Sequence, residues 1–188
     1  RHNPRRLTAE EIWDTLLRVQ GKLNYDVGGE PVRPKMPEAV LAGSSRPDIA
    51  WPETAGESAN RRAVYIAVKR SIQLPLLAAY DAPQRDATCP TRFATTVPTQ
   101  ALTMLNSERV NTAAKEFAAD LADEYADLDA QIVAAFERAL GRAPSVKEKV
   151  ALLELSDAGD EIHAVPRSNF VERISLIRLD LPDTRSVD

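Results

Sequence analysis

Between Lys22 and Asn60 the chain places five prolines (Pro31, Pro34, Pro37, Pro47 and Pro52) and the pair Gly28-Gly29. No long helix or central strand can run through that density of breakers, because proline removes a backbone donor and glycine surrenders the most conformational freedom. Only Pro37 to Leu41 has room for a helical turn. A stretch this long without periodicity is uncommon inside a compact domain, so it either packs over a larger partner domain or carries function. Regular structure must lie on either side of it.

On the N-terminal side the signals are clear. Leu7 can staple, Thr8 can cap and Glu11 can close a capping box, which predicts a helix from Ala9 to Gln20 that stops at Gly21. Ile12, Leu16 and Val19 share one face of it, with Trp13 and Leu17 beside them. Beyond the breakers, Arg61 to Ser71 reads RRAVYIAVKRS, whose Val64, Tyr65, Ile66 and Val68 favour an extended segment. The spacing of Val64, Val68 and Ile72 keeps a helix open as the other reading.

Pro75 starts a short helix through Leu77 and Tyr80, ended by Asp81 and Pro83. Pro98 starts another to about Leu105, with Ala101, Leu102 and Leu105 inward. Ser107 caps a third, on which Val110, Ala114, Phe117, Leu121 and Tyr125 keep the helical period as far as about Ala126. A fourth begins near Asp129, buries Ile132, Val133, Phe136 and Leu140, and stops at Gly141. Ser145 with Glu148 is a second capping box, opening a helix that carries Val150, Leu153 and Leu155. The expected fold class is mainly α: a helical domain with long Pro/Gly-rich loops and one short extended segment. Residues 3–155 form that domain, and 156–188 read as a weakly patterned tail.

Hydrophobic residues at 44% and charged residues at 28% place the chain among folded globular sequences rather than disordered ones. A net charge of −4 speaks against nucleic acid as a partner, since phosphate binding needs a concentrated cationic surface. The charge is uneven: Arg61, Arg62, Lys69, Arg70, Arg85 and Arg92 crowd the middle, and acidic residues crowd the part after Asn111. These are either solvated faces or an electrostatic docking surface. No apolar run reaches the length of a membrane span, and RHNPRR lacks the apolar core of a signal peptide, so an exported parent would carry its signal upstream.

Cys89 is the sole cysteine, which rules out a disulfide within the segment. Catalysis by its thiolate would need a nearby base, yet His2 and His163 stand near the two ends and neither forms a Cys-His pattern or a metal-ligand spacing. A buried small hydrophobe or a partner-facing thiol is the expectation for Cys89. The stretch Tyr80 to Asn106 holds the other candidates. Asp81, Asp86 and Arg92 lie in a loop fixed at both ends by helices, where paired carboxylates could bind or act as acid and base. Their structural reading is that Asp81 caps a turn, Asp86 is solvated and Arg92 ties the loop down. Thr95 and Thr96 precede Pro98, where threonine either caps the helix or joins its N-terminus in holding an anion or a sugar hydroxyl.

Four segments carry a resemblance: NPRRLTAEEIWD (Asn3 to Asp14), RRAVYIAVKRS (Arg61 to Ser71), YDAPQRDATCPTRFATTVPTQALTMLN (Tyr80 to Asn106) and ALGRAPS (Ala139 to Ser145). In the same order, over roughly Asn3 to Leu155, they resemble the planctomycete-specific domain of unknown function. That domain usually forms the C-terminal part of large exported proteins with cytochrome-c-like segments. The resemblance implies an extracytoplasmic setting and a multidomain parent, and it brings no catalytic residues. The chain has no C-x-x-C-H, so haem would be attached elsewhere and no cofactor is expected in this segment. The family typically finishes with a leucine-rich helix ending around Asn-Glu-Phe, and Asp157 to Asp188 do not resemble that ending.

The expected function is that of a non-catalytic accessory or interaction domain, with upstream domains of its parent as partners and Asp81, Asp86, Arg92, Thr95 and Thr96 as binding residues. Company with sulfatase-like and polysaccharide-degrading systems adds a link to polysaccharide use, and a glycan is a further candidate partner. Two alternatives stand beside it. One is a carbohydrate-binding module, for which Trp13, Trp51, Tyr65 and Tyr80 are the candidate platforms and Trp51 the best. The other is a glycan hydrolase using Asp81 or Asp86.

Overall fold

The computed structural model describes residues 5–43, 46–83 and 89–162. Asp86, His2 and His163 lie outside them. The fold is mainly helical, and no strand forms among the described residues. It divides into two compact units, Arg1–Gln131 and Ile132–Asp188.

In the first unit α1 (Ala9–Val19) starts at the expected box. Thr8 Oγ1 accepts from the Glu11 N–H at 3.3 Å, and Glu11 Oε2 accepts from the Thr8 N–H at 2.8 Å. Arg5 grips the same carboxylate with both guanidinium nitrogens at 2.6 and 2.8 Å. Gly21, at φ 69°, ends the helix in the left-handed conformation that glycine adopts without strain. Ile12, Trp13 and Leu17 face inward, and α1 packs on α4 (Pro75–Ala79) and on α6 (Glu108–Glu124).

The proline-rich segment contributes to the core. It forms α2 (Glu38–Leu41) where one turn was expected, and adds α3 (Pro47–Ala50) and a 3-10 turn at Gly56–Asn60. Val32, Pro34, Met36 and Trp51 are buried with the α1 residues. Side chains replace the missing periodicity. Trp51 Nε1 donates to the Pro34 carbonyl at 2.8 Å, the Arg33 N–H donates to Thr54 Oγ1 at 2.9 Å, and the Met36 N–H donates to Glu53 Oε1 at 3.1 Å. Buried main-chain groups so far from any ladder require such partners.

The Arg61 to Ser71 segment is extended at Arg61 and Ile66, with a 3-10 turn at Ala63–Tyr65 between them. It pairs through isolated bridges, Asn24 with Arg61 and Val32 with Ile66, instead of a ladder. The Arg61 guanidinium is buried, not part of a cationic surface. It donates to the carbonyls of Glu30 at 3.1 Å, Asp26 at 3.0 Å and Gly28, and stacks 3.8 Å from the Tyr65 ring centroid.

The later helices start where expected, as α5 (Pro98–Asn106), α6, α7 (Leu128–Leu140) and α8 (Val146–Ile162), but α8 continues past Leu155 into the stretch read as a weakly patterned tail. Their inward faces differ in places. On α5, Ala101, Leu102 and Leu105 are exposed and Gln100 is the buried residue, because the helix is held by polar contacts to Tyr80 and Ala79. On α6, Ala113 and Leu121 are buried while Ala114 is exposed. On α7, Ile132 is buried and Leu140 is exposed.

The second unit repeats the N-terminal device at α8. Ser145 Oγ accepts from the Glu148 N–H at 3.4 Å, Glu148 Oε2 accepts from the Ser145 N–H at 2.8 Å, and Arg142 grips Glu148 at 2.6 and 2.9 Å. In both cases arginine, hydroxyl residue and glutamate follow one another at intervals of three.

Candidate functional site

Proline at the first position of α4 costs no hydrogen bond, and Leu76 and Leu77 anchor the helix in the core. It ends at Tyr80, and Asp81 then takes a positive φ of 60°. Asp and Asn tolerate that conformation better than most residues, because a short polar side chain can bond locally. Here the carboxylate is fully engaged. It accepts from Arg6 Nη2 at 2.7 Å, from the Thr95 N–H at 2.8 Å and from Thr95 Oγ1 at 2.9 Å. The two Thr95 bonds and the neighbouring Arg6 charge hold its pKa below the usual aspartate value.

The cluster continues inward. Gln100 Nε2 donates to the Ala79 carbonyl at 3.1 Å and to Thr95 Oγ1 at 3.3 Å, and the Gln100 carbonyl accepts from the Tyr80 hydroxyl at 3.1 Å. Burial raises the Tyr80 pKa, which keeps that hydroxyl a donor. Gln100 Oε1 also reaches back to the Val97 N–H at 3.4 Å. Val97, not a threonine, precedes α5, so only this half of a capping box exists. Asp81 and Thr95 are thus brought together as a clasp. Thr96 is exposed and takes no part in it.

Arg92 lies apart from the clasp and bonds Glu10 Oε1 at 2.8 Å. It lines two adjoining open recesses. The first, of about 620 Å³, has walls of Val64, Ile66, Val68, Leu77, Ala82 and Pro83, with Glu10 and Arg92. The second, of about 580 Å³, runs from Asp81 and Ala82 past Cys89 to Phe93. Phe93 is 79% exposed. Cys89 is exposed as well, its Sγ donating to the Thr91 carbonyl at 3.3 Å, so the expectation of a buried thiol does not hold.

The aromatic platforms fare differently from expectation. Trp13, Trp51 and Tyr80 are buried, and Trp51 spends its indole N–H on Pro34. Tyr65 is half-buried, with Arg61 over its ring. None presents the open face on which a sugar stacks. Among the described residues no group of three or more His, Cys, Asp and Glu is placed to hold a metal ion.

Sequence reasoning missed Arg6, Glu10 and Gln100. Arg6 gave no signal beyond a basic pair, because its partner Asp81 is 75 residues away. Gln100 stands three residues after Val97, the glutamine position of a capping box whose cap residue has no oxygen, and that spacing was its only visible trace. No helix is long and apolar enough to cross a membrane among the described residues. Among curated proteins and solved structures, nothing matches the chain. Over residues 1–156 the sequence matches the family described as PSD1, protein of unknown function (DUF1553), and the chain belongs to that family.

Proposed function

We propose that this chain is a non-catalytic interaction domain of a larger, exported multidomain protein, one that also carries cytochrome-c-like segments and takes part in polysaccharide use. It docks the preceding domains of its parent through the face around Arg92. The observation that carries the reading is the pair of adjoining open recesses there, with Val64 and Val68 exposed in the first and Phe93 in the second. Exposed apolar surface of this kind, rimmed by charge, is the usual mark of a protein contact.

The clasp argues for the same reading. A general acid needs a raised pKa and a free proton, whereas Asp81 is held low and spends its oxygens as acceptors. Asp81 and Thr95 shape the face, while Phe93 is exposed on it and Arg92 is held there by Glu10. The extracytoplasmic setting, the planctomycete source, the C-terminal placement and the link to glycan use rest on the resemblance of the four quoted segments.

Titration calorimetry between this chain and the separately produced preceding part of its parent tests the proposal. Arg92→Glu and Phe93→Ser each weaken binding by at least about tenfold, equivalent to roughly 1.4 kcal/mol. Unchanged affinity in both variants overturns the docking face.

A further inference from the structure

A third recess, of about 110 Å³, shares no lining residue with the two around Arg92. Arg109, near the start of α6, lines it, and its guanidinium carbon lies 4.8 Å from the centroid of the Trp13 ring. Stacking of this kind engages the face of the guanidinium and leaves its N–H donors along the edge. Among the described residues Arg109 has neither a hydrogen-bond acceptor nor an ion-pair partner, whereas Arg61 has three carbonyls and Arg92 has Glu10. Burial pushes its pKa down, and the field of Glu116 further along the helix opposes that push. A half-buried cation with its donors unspent is one side of a charge-assisted bond that lacks the other.

The remaining walls select among anions. The recess is well below the roughly 300–1,000 Å³ of sites that enclose a whole small molecule, so it takes one end of a ligand. Trp13, Leu74 and Leu76, all buried, make much of its lining apolar, which suits an apolar stem behind the charged end. Ser107 Oγ accepts from the Val110 N–H at 3.5 Å, and its hydroxyl proton remains to be donated. Lys35 and Glu108 also line the recess, paired with each other at 2.9 Å and both well exposed. With Arg109 the lining therefore carries two cations and one carboxylate, an excess of one positive charge. A single carboxylate neutralises that excess and its planar shape matches the guanidinium fork, whereas a phosphate, at about −1.5 to −2 charges, overshoots it.

We infer that this recess binds a carboxylate carried on a short apolar stem, gripped through both oxygens by Arg109 and reached by the Ser107 hydroxyl. A free short-chain carboxylic acid and a peptide terminus ending in an aliphatic residue present that same chemistry. The inference goes beyond the docking reading and does not depend on it, since the face around Arg92 is made of other residues.

NMR titration of the isotope-labelled 188-residue chain at fixed ionic strength tests it, with butyrate, acetyl-alanyl-leucine and inorganic phosphate as separate probes. Butyrate or the dipeptide shifts the Trp13 indole and the backbone amides of Ser107, Glu108 and Arg109 saturably, while the Trp51 indole stays in place. The tighter of the two identifies the source of the carboxylate, and phosphate binds at least about tenfold more weakly than either. Arg109→Gln weakens carboxylate binding by at least about tenfold, and Arg109→Lys, which keeps the charge without the fork, by a smaller factor. Glu108→Gln, at an exposed position, leaves Arg109 intact and raises the excess charge, so it narrows the preference for carboxylate over phosphate. The absence of saturable shifts at these residues, phosphate binding as tight as butyrate, or an Arg109→Gln chain that melts normally and binds butyrate unchanged overturns the inference. Each of these variants still binds the preceding part of the parent through the face around Arg92, so the two proposals fail separately.

Discussion

Arg6 and Asp81 stand 75 residues apart in the chain and 2.7 Å apart in the fold. The contact fastens the segment before α1 to the end of α4, and through Thr95 it fastens the start of the α5 approach as well. Asp81→Asn keeps the size and the tolerance of a positive φ but loses the charge. Because the folded carboxyl titrates below its ordinary value of 3.8, the stability it contributes is present above that value and is lost as pH falls through the folded pKa. The variant is therefore less stable than the natural chain at neutral pH, and the gap narrows below about pH 4. Urea midpoints at neutral pH and near pH 3 check this, and a gap that widens in acid contradicts it.

Glu11 and Glu148 are each held down to about 2, first by the paired arginine and then by the capping N–H. Their ordinary value is 4.5, so what they add is complete above it and disappears as pH falls toward about 2. Both pairs are exposed, so the effect is small and screened. Thermal melts between about pH 5 and pH 2 show an acid limb that Arg5→Ala and Arg142→Ala make shallower and that salt flattens.

Trp51 is a buried anchor of the proline-rich segment. Trp51→Ala removes its volume and frees the Pro34 carbonyl, at a cost of about 3–5 kcal/mol. Trp51→Phe keeps most of the volume and loses the bond, at about 1–3 kcal/mol. Guanidinium unfolding ranks the two, and equal losses would show that the bond, not the packing, holds the segment.

Arg61→Lys keeps the charge but not the planar fork that spans three carbonyls. The expected cost is on the order of 2 kcal/mol, concentrated in the turn it braces. Amide exchange reports it directly: the Gly28 N–H loses protection while the interior of α1 keeps it. Uniform loss across both would mean that Arg61 stabilises the whole unit.

Gln100→Ala strips the buried contacts to Ala79 and Thr95 and costs about 1–3 kcal/mol. Gln100→Glu replaces a donor with an acceptor facing a carbonyl and is worse. A glutamate variant as stable as the natural chain would show that water serves this position.

How much of this was legible depended on how local each cause is. Thr8 with Glu11, Ser107 and Ser145 with Glu148 mark helix starts within three residues, and each start stands where its residues place it. Pro75 and Pro98 do the same by a fixed φ. The proline-rich segment was opaque because its order comes from Trp51 reaching Pro34 and Arg61 reaching Asp26, pairs that no periodicity announces. The helical period on α5 pointed to Leu102 and Leu105, but hydrogen bonding to Gln100 decided its inner side. At the candidate site, Asp81 and Thr95 were visible as residue types, whereas their joining depended on Arg6 and on a left-handed backbone.

The segment from Lys22 to Asn60 is a loop by geometry and an interior by chemistry, since Pro34, Met36 and Trp51 are among its most enclosed residues. Shortening it would not yield a smaller version of the first unit. It would open the surface of α1 to water, and the chain would lose a wall rather than a decoration. Because that wall is tied by single side chains to single carbonyls, its tolerance to change varies residue by residue, with neighbours such as Pro34 and Lys35 at opposite extremes.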